Sequence, residues 1–324
     1  MFRKIVLTGS KAPFSANSAR SIRSYQYAAN ADHLGDALSH DIETVPLVFD
    51  KHEPKSKPQT EKSPFVFLHG IFGSRSNTRT VARQLANSME RNVYCVDLRN
   101  FGDSPHTERL DYPSLAADVE RFVMEQNFAQ KPIFVGHSMG AKTVMALALR
   151  RPEMPKMVVS VDNAPVATLA VQSLFPKYIR QLRYSLEAEK RTKMSEVDAD
   201  LALVEPAKEI RQFILKNVKL GGKSDVCRSK IPLSVISDAV VKGNIANWPY
   251  DHNVAKWTKG PTLFVRGTNS NYVPDEAIAD IANYFPNFEI RDIEAGHWVI
   301  SEKPAEFMDV LREFVERKED GEDL

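Results

Sequence analysis

Gly136-His137-Ser138-Met139-Gly140 lies between the apolar run Pro132-Ile133-Phe134-Val135 and the helix-prone run Ala141-Lys142-Thr143-Val144-Met145-Ala146-Leu147. A serine between two glycines is ordinarily a turn, but at a strand-to-helix junction it acquires a mechanical meaning. The chain must reverse within a residue or two, which forces the serine into a strained backbone conformation. Side chains at positions 136 and 140 would collide with the neighbouring strand and helix. The Ser138 hydroxyl then projects above the end of the strand, and the N–H of Met139, at the helix start, can stabilise an oxyanion. The junction therefore predicts an alpha/beta chain with a mostly parallel central sheet and helices on both faces.

Other motifs follow in a consistent order. Phe65-Val66-Phe67-Leu68 is short and continuously apolar, as a buried parallel strand should be, and it ends in His69-Gly70-Ile71-Phe72-Gly73-Ser74. The backbone N–H of Ile71, with Phe72 the alternative, is the expected second oxyanion donor, and His69 reads as an anchor of that loop rather than a base. Among the eight histidines, His297 alone follows the serine at the end of an alternating strand, 288–293, just before a helix expected over 301–317. It is the expected general base in a Ser, acid, His chain order. His33, His40, His52, His106, His137 and His252 read as exposed, loop or turn residues.

The acid is less direct. A common place for it is the loop after the next-to-last strand, here 262–267, but that loop reads Thr268-Asn269-Ser270-Asn271-Tyr272 and carries no carboxylate. Asp275, further on, reads as a cap of the helix running towards Tyr284. The preceding strand, 157–161, ends in Asp162-Asn163-Ala164-Pro165, on the same rim as Ser138. Asp162 is therefore assigned as the residue that orients His297, with Asp275 the alternative and a helix cap the non-catalytic reading.

The His-Gly-Ile-Phe-Gly-Ser loop, the turn Asp97-Leu98-Arg99-Asn100-Phe101-Gly102-Asp103-Ser104-Pro105-His106, the Gly-His-Ser-Met-Gly elbow and Asp162 together resemble the mitochondrial alpha/beta-hydrolase-domain esterases, and within them the fungal ethanol acetyltransferases. The resemblance covers roughly residues 42–317. It departs from the broader hydrolase pattern at Asn100-Phe101, where Gly-His is common. The resemblance implies an alpha/beta-hydrolase fold with a helical lid, and transfer of an acetyl group from acetyl-CoA to ethanol through an acetyl-serine, with esterase and thioesterase side reactions. Acetyl-CoA enters as a substrate, and no metal or redox cofactor is expected. Two alternatives stand beside this: an ester or thioester hydrolase with water as acceptor, and a non-catalytic hydrolase-fold binding subunit.

Composition fits one catalytic domain: 324 residues with 43% hydrophobic content can bury a large core. A formal charge of +1 argues against a nucleic-acid partner, the resemblance implies small-molecule substrates, and no apolar run is long enough to span a membrane. Cys95 and Cys227 are expected as reduced thiols. Residues 1–31 hold Arg3, Lys4, Lys11, Arg20 and Arg23 but no acidic residue, which predicts a cleaved mitochondrial transit peptide. The first strand is expected at 44–49, a surface loop at 51–58, the catalytic domain over 42–317 and an acidic tail at 318–324.

A lid is expected over about 165–256, helical in pattern. Phe175, Ile179, Leu182 and Leu186 form an apolar stripe facing the core or the acyl pocket. Lys177, Arg180, Arg183, Lys190 and Arg191 read as a solvated face, with contacts to CoA phosphates as the alternative. Phe72, Trp248 and Trp298 are the candidate substrate-pocket residues, Trp248 having core packing as its alternative reading.

Overall fold

The computed structural model describes residue 38 and residues 41–56, 61–168, 174–221 and 226–321; the expected transit peptide lies outside them. The apolar runs become strands of one sheet: β1 (Phe49–His52), β2 (Phe65–Leu68), β3 (Val93–Val96), β4 (Ile133–His137), β5 (Met157–Val161), β8 (Thr262–Gly267) and β9 (Phe288–Ile293). Their order is β1-β3-β2-β4-β5-β8-β9, with β1 antiparallel to β3 and every other pair parallel. The order reverses between β2 and β4, because β3 lies on one side of β2 and β4 on the other. Ligands of open parallel sheets bind outside the carboxyl ends of the strands at such a reversal, and the oxyanion loop and Ser138 follow those two strands.

Side chains alternate between two cores. Phe65 and Phe67 point with Cys95 and Val135 towards helices α1 (Arg79–Met89) and α10 (Pro304–Asp320), while Val66 and Leu68 point with Val96 and Phe134 towards α2 (Tyr112–Gln126) and α3 (Met139–Arg150). Helices on both faces explain why these strands read as unbroken apolar runs. The α2 start is set locally: Asp111 accepts the Ser114 N–H at 2.9 Å and Pro113 occupies the first turn. Helix α3 lies against the sheet backbone itself. A Cβ on Gly140 would stand 2.3 Å from the Leu68 carbonyl oxygen, and one on Gly136 would stand 2.1 Å from that of Gly140, so neither position admits a side chain.

The lid holds α4 (Phe175–Arg183), continued by a wide turn at Tyr184–Ala188, then α5 (Met194–Ala202), α6 (Lys208–Leu215) and α7 (Leu233–Val241). A two-stranded ladder, β6 (Val218–Lys219) with β7 (Arg228–Ser229), interrupts the expected helical pattern. Ile179, Leu182 and Leu186 are buried in the same core as α2 and α3, with Phe175 packed against it. Among the described residues no helix is long and apolar enough to cross a membrane. Both cysteines are buried free thiols.

Three expected boundaries move. The first strand is Phe49–His52 rather than 44–49, since Pro46 has no N–H for a ladder and the Val45 N–H is taken by the Asp118 carboxylate at 2.8 Å. Lys51 and His52, expected in a loop, therefore pair with Tyr94 and Val93. After α8 (Ile278–Tyr284), the last helix is split into α9 (Val299–Glu302) and α10 because Pro304 excludes Lys303 from the helical region, and Lys303 sits at φ −134°, ψ 58°. Helix α10 then runs into the expected acidic tail, where Glu319 accepts from Arg91 at 2.9 Å and Lys156 at 2.7 Å.

Lys142, in α3, is fully buried. Its ammonium donates to the Ala246 carbonyl at 2.9 Å and the Thr168 hydroxyl at 3.2 Å, and lies over the Tyr112 ring. Burial lowers its pKa from 10.5 to about 7. Between those two values the unfolded chain binds a proton that the folded chain does not, so this group's contribution to stability rises with pH through that window and is flat below it. Thermal melts of wild type and Lys142→Met from pH 6 to 9 are expected to show a smaller upward drift in the variant. Parallel profiles would remove Lys142 as the source.

Candidate active site

The junction after β4 has the geometry that its sequence requires. Ser138 sits at φ 55°, ψ −114°, a conformation most residues avoid, and it is held there by its N–H on the Val161 carbonyl at 3.0 Å and by the Asn163 amide on its own carbonyl at 3.1 Å. Its Oγ lies 2.9 Å from His297 Nε2, and His297 Nδ1 lies 2.7 Å from Asp162 Oδ2. The structure thus brings the three expected catalytic residues into one hydrogen-bonded relay, from the ends of β4 and β5 and the loop after β9.

Asp162 is fully buried, at φ 51°, and also accepts the Gly267 N–H at 3.1 Å and the Ser270 hydroxyl at 2.5 Å. Three donors on the carboxylate fix its plane towards the imidazole. Asp275 points elsewhere: its side chain is 82% exposed and pairs with Arg266 at 2.5 Å.

Met139 is the first residue of α3, so its N–H has no acceptor within the helix. Across the site, the Gly73 N–H donates to the Gly70 carbonyl at 3.0 Å, which makes Ile71 and Phe72 the central residues of a turn whose own bond uses neither of their N–H groups. Phe72 is at φ 61°, and its carbonyl accepts from the lid's Asn217 at 2.8 Å. His69 anchors the loop, as its residue type and place suggested. The Leu98 N–H donates to His69 Nε2 at 3.0 Å and His69 Nδ1–H donates to the Gly70 carbonyl at 2.8 Å, while burial lowers its pKa, so it stays neutral.

Several contributors were not read from the sequence. Ser270 and Tyr272 stand in the loop noted only for lacking a carboxylate; the Tyr272 ring stacks on His297 at 3.8 Å and 17°, restricting the imidazole to the plane of the relay. His137, read as a turn residue, donates from Nε2 to the His297 carbonyl at 2.7 Å. Burial, then the nearby His297, push its pKa down to about 4, so His137 is a neutral brace.

A narrow cavity of about 50 Å³ opens on Ser138, walled by Ile71, Phe72, Phe175, Tyr178, Phe213 and Trp298. Phe72 and Trp298 line this cavity. Trp248 does not. It packs, half-buried, among Tyr112, Tyr250 and Tyr284 where the lid returns to the core.

The alpha/beta hydrolase fold family model matches residues 63–304. A probable alcohol acetyltransferase of Saccharomyces cerevisiae is 40% identical over 87% of this chain and 84% of its own length, and ethanol acetyltransferase 1 of Wickerhamomyces ciferrii is 31% identical over 84% and 74%. An sn-1-specific diacylglycerol lipase of Xenopus laevis is 33% identical over 87% of each chain. Among solved structures, a marine microorganism esterase superposes with a TM-score of 0.73 at 27% identity, covering 83% of this chain and 99% of its own. With its sheet order, its strained serine and its assembled relay, the chain belongs to the alpha/beta-hydrolase family, in the group that includes the fungal ethanol acetyltransferases.

Proposed function

We propose that the protein is an alcohol acetyltransferase that makes ethyl acetate from acetyl-CoA and ethanol through an acetyl-Ser138 intermediate. The observation that carries this reading is the unbroken Ser138–His297–Asp162 relay opening on a cavity of about 50 Å³, room for a few atoms rather than a long acyl chain. The named relatives support the acceptor being an alcohol.

His297 Nε2 takes the Ser138 proton as Oγ attacks the thioester carbonyl, and the oxyanion lies towards the Met139 and Ile71 N–H groups. The C–S bond breaks, and the thiolate leaves with the proton from His297. Ethanol then enters; His297 takes its hydroxyl proton, its oxygen attacks the acetyl carbon, and the ester leaves as Ser138 Oγ recovers the proton. Water in ethanol's position gives acetate instead. Hydrolysis as the main reaction is the second reading, supported by the lipase relative and the esterase structure.

At fixed, saturating acetyl-CoA, raising ethanol is expected to increase ethyl acetate while acetate release falls correspondingly, since both products draw on one acyl-enzyme. Gas chromatography of both products tests this. Acetate release indifferent to ethanol would sink the shared intermediate, and no ethyl acetate at any ethanol concentration would leave the hydrolase reading.

A further inference from the structure

The cavity on Ser138 is far too small for a nucleotide-bearing donor, so most of such a molecule must lie outside it. Beyond Phe72 and Asn77, which line that cavity, a second cleft of about 340 Å³ opens between the catalytic domain and the lid. One wall is the segment after the oxyanion loop, with Ser74, Ser76 and Arg79; the other is the lid corner that carries Lys216, Asn217 and Lys230.

The charges there are unevenly satisfied. Arg75 spends its guanidinium on Asp50, Asp97 and Asp103, which also accounts for the single carboxylate lining the cleft, Asp103. Arg79 keeps only a 3.3 Å contact with Asp50. Among the described residues neither lysine is paired with a carboxylate; the Lys230 ammonium donates to the Lys216 carbonyl at 2.8 Å, which fixes the corner. The Ser74 and Ser76 hydroxyls lie 2.8 Å apart opposite them. Two ammonium groups with no carboxylate partner among the described residues, a guanidinium and two hydroxyls around one opening suit a phosphate, and offer nothing comparable to a neutral ligand. The cleft is also joined to the chemistry, since Asn217, between the lysines and the catalytic domain, holds the Phe72 carbonyl.

We propose that this cleft binds the phosphate groups of a CoA-type leaving group, with Lys216 and Lys230 as its principal contacts; the proposal rests on the acetyl-CoA reading above. The outer lid face is the competing location, with its cations partly taken up. There Arg183 pairs with Glu187 and Arg191 with Asp200.

The test compares the full-length wild type with Lys216→Glu/Lys230→Glu. Substrates are acetyl-CoA, S-acetylpantetheine, which presents the same thioester without phosphates, and p-nitrophenyl acetate; CoA is titrated as an inhibitor of p-nitrophenyl acetate hydrolysis. The preference for acetyl-CoA over S-acetylpantetheine is expected to fall about tenfold or more, through KM, and the CoA inhibition constant to rise by a similar factor. Lys216→Gln/Lys230→Gln should move both in the same direction by less. Reversal on the outer face, Arg183→Glu/Lys190→Glu, should leave both at wild-type values. An unchanged preference and unchanged CoA inhibition in the Lys216 and Lys230 variants would overturn the site while leaving the acetyl-CoA reading standing. A wild type that hydrolyses p-nitrophenyl acetate but not acetyl-CoA would overturn that reading, and this site with it.

Discussion

Ser138→Ala and His297→Ala are each expected to lower ethyl acetate formation and acetate release together, by about four to six orders of magnitude, with the fold unchanged. The size follows from the relay acting as a unit. Without Oγ there is no acyl-enzyme, and without Nε2 at 2.9 Å the hydroxyl is not a nucleophile at neutral pH. Double losses should be no worse than single ones, because the second removal acts on a step already lost. Product analysis of the two single variants and the double variant checks this; retention of either product in both single variants would remove the covalent mechanism.

Asp162→Asn should follow closely, at about a 10⁴-fold loss in kcat. The carboxylate accepts from the Gly267 N–H, the Ser270 hydroxyl and His297 Nδ1. An amide has one oxygen for those three donors and turns an N–H towards some of them, so His297 is driven to the tautomer whose Nε2 carries a proton and cannot accept from Ser138. Asp275→Asn, at a side chain 82% exposed on Arg266, should change kcat less than severalfold. The reverse ranking would move the acid to the later loop.

The legible parts of the molecule were those in which local pattern and tertiary role coincide. Phe65–Leu68 and Val93–Val96 are buried on both faces, so their apolar runs mark their limits directly. Ser138 and His297 were readable because a strained turn and a strand end leave a trace in neighbouring residues. Asp162 could be found by elimination, since the loop after β8 has no carboxylate. That loop's positive contribution was invisible, because Ser270 and Tyr272 act only by meeting Asp162 and His297 across the sheet. Distance in sequence hid the second cleft in the same way, for Arg79 and Lys216 meet only when the lid folds back over the oxyanion loop. Trp248 stayed ambiguous because an aromatic ring near a lid's end suits a pocket and a core equally, and only its packing against Tyr250 and Tyr284 separates the two.

The Thr168 N–H donates to the Ala246 carbonyl at 2.8 Å, so the insertion leaves and re-enters the domain at a single point, riveted from below by Lys142. Strands β5 and β8 hydrogen-bond directly to each other beneath it. The lid is therefore tied to the sheet by one neck in the chain, while its Asn217 steadies the oxyanion loop and its apolar stripe completes the core of α2 and α3. A lid exchanged at Thr168 and Ala246 would leave every hydrogen bond of the relay in place, because all of them lie outside the insertion, and would have to bring its own partner for the Phe72 carbonyl and its own apolar stripe for the core.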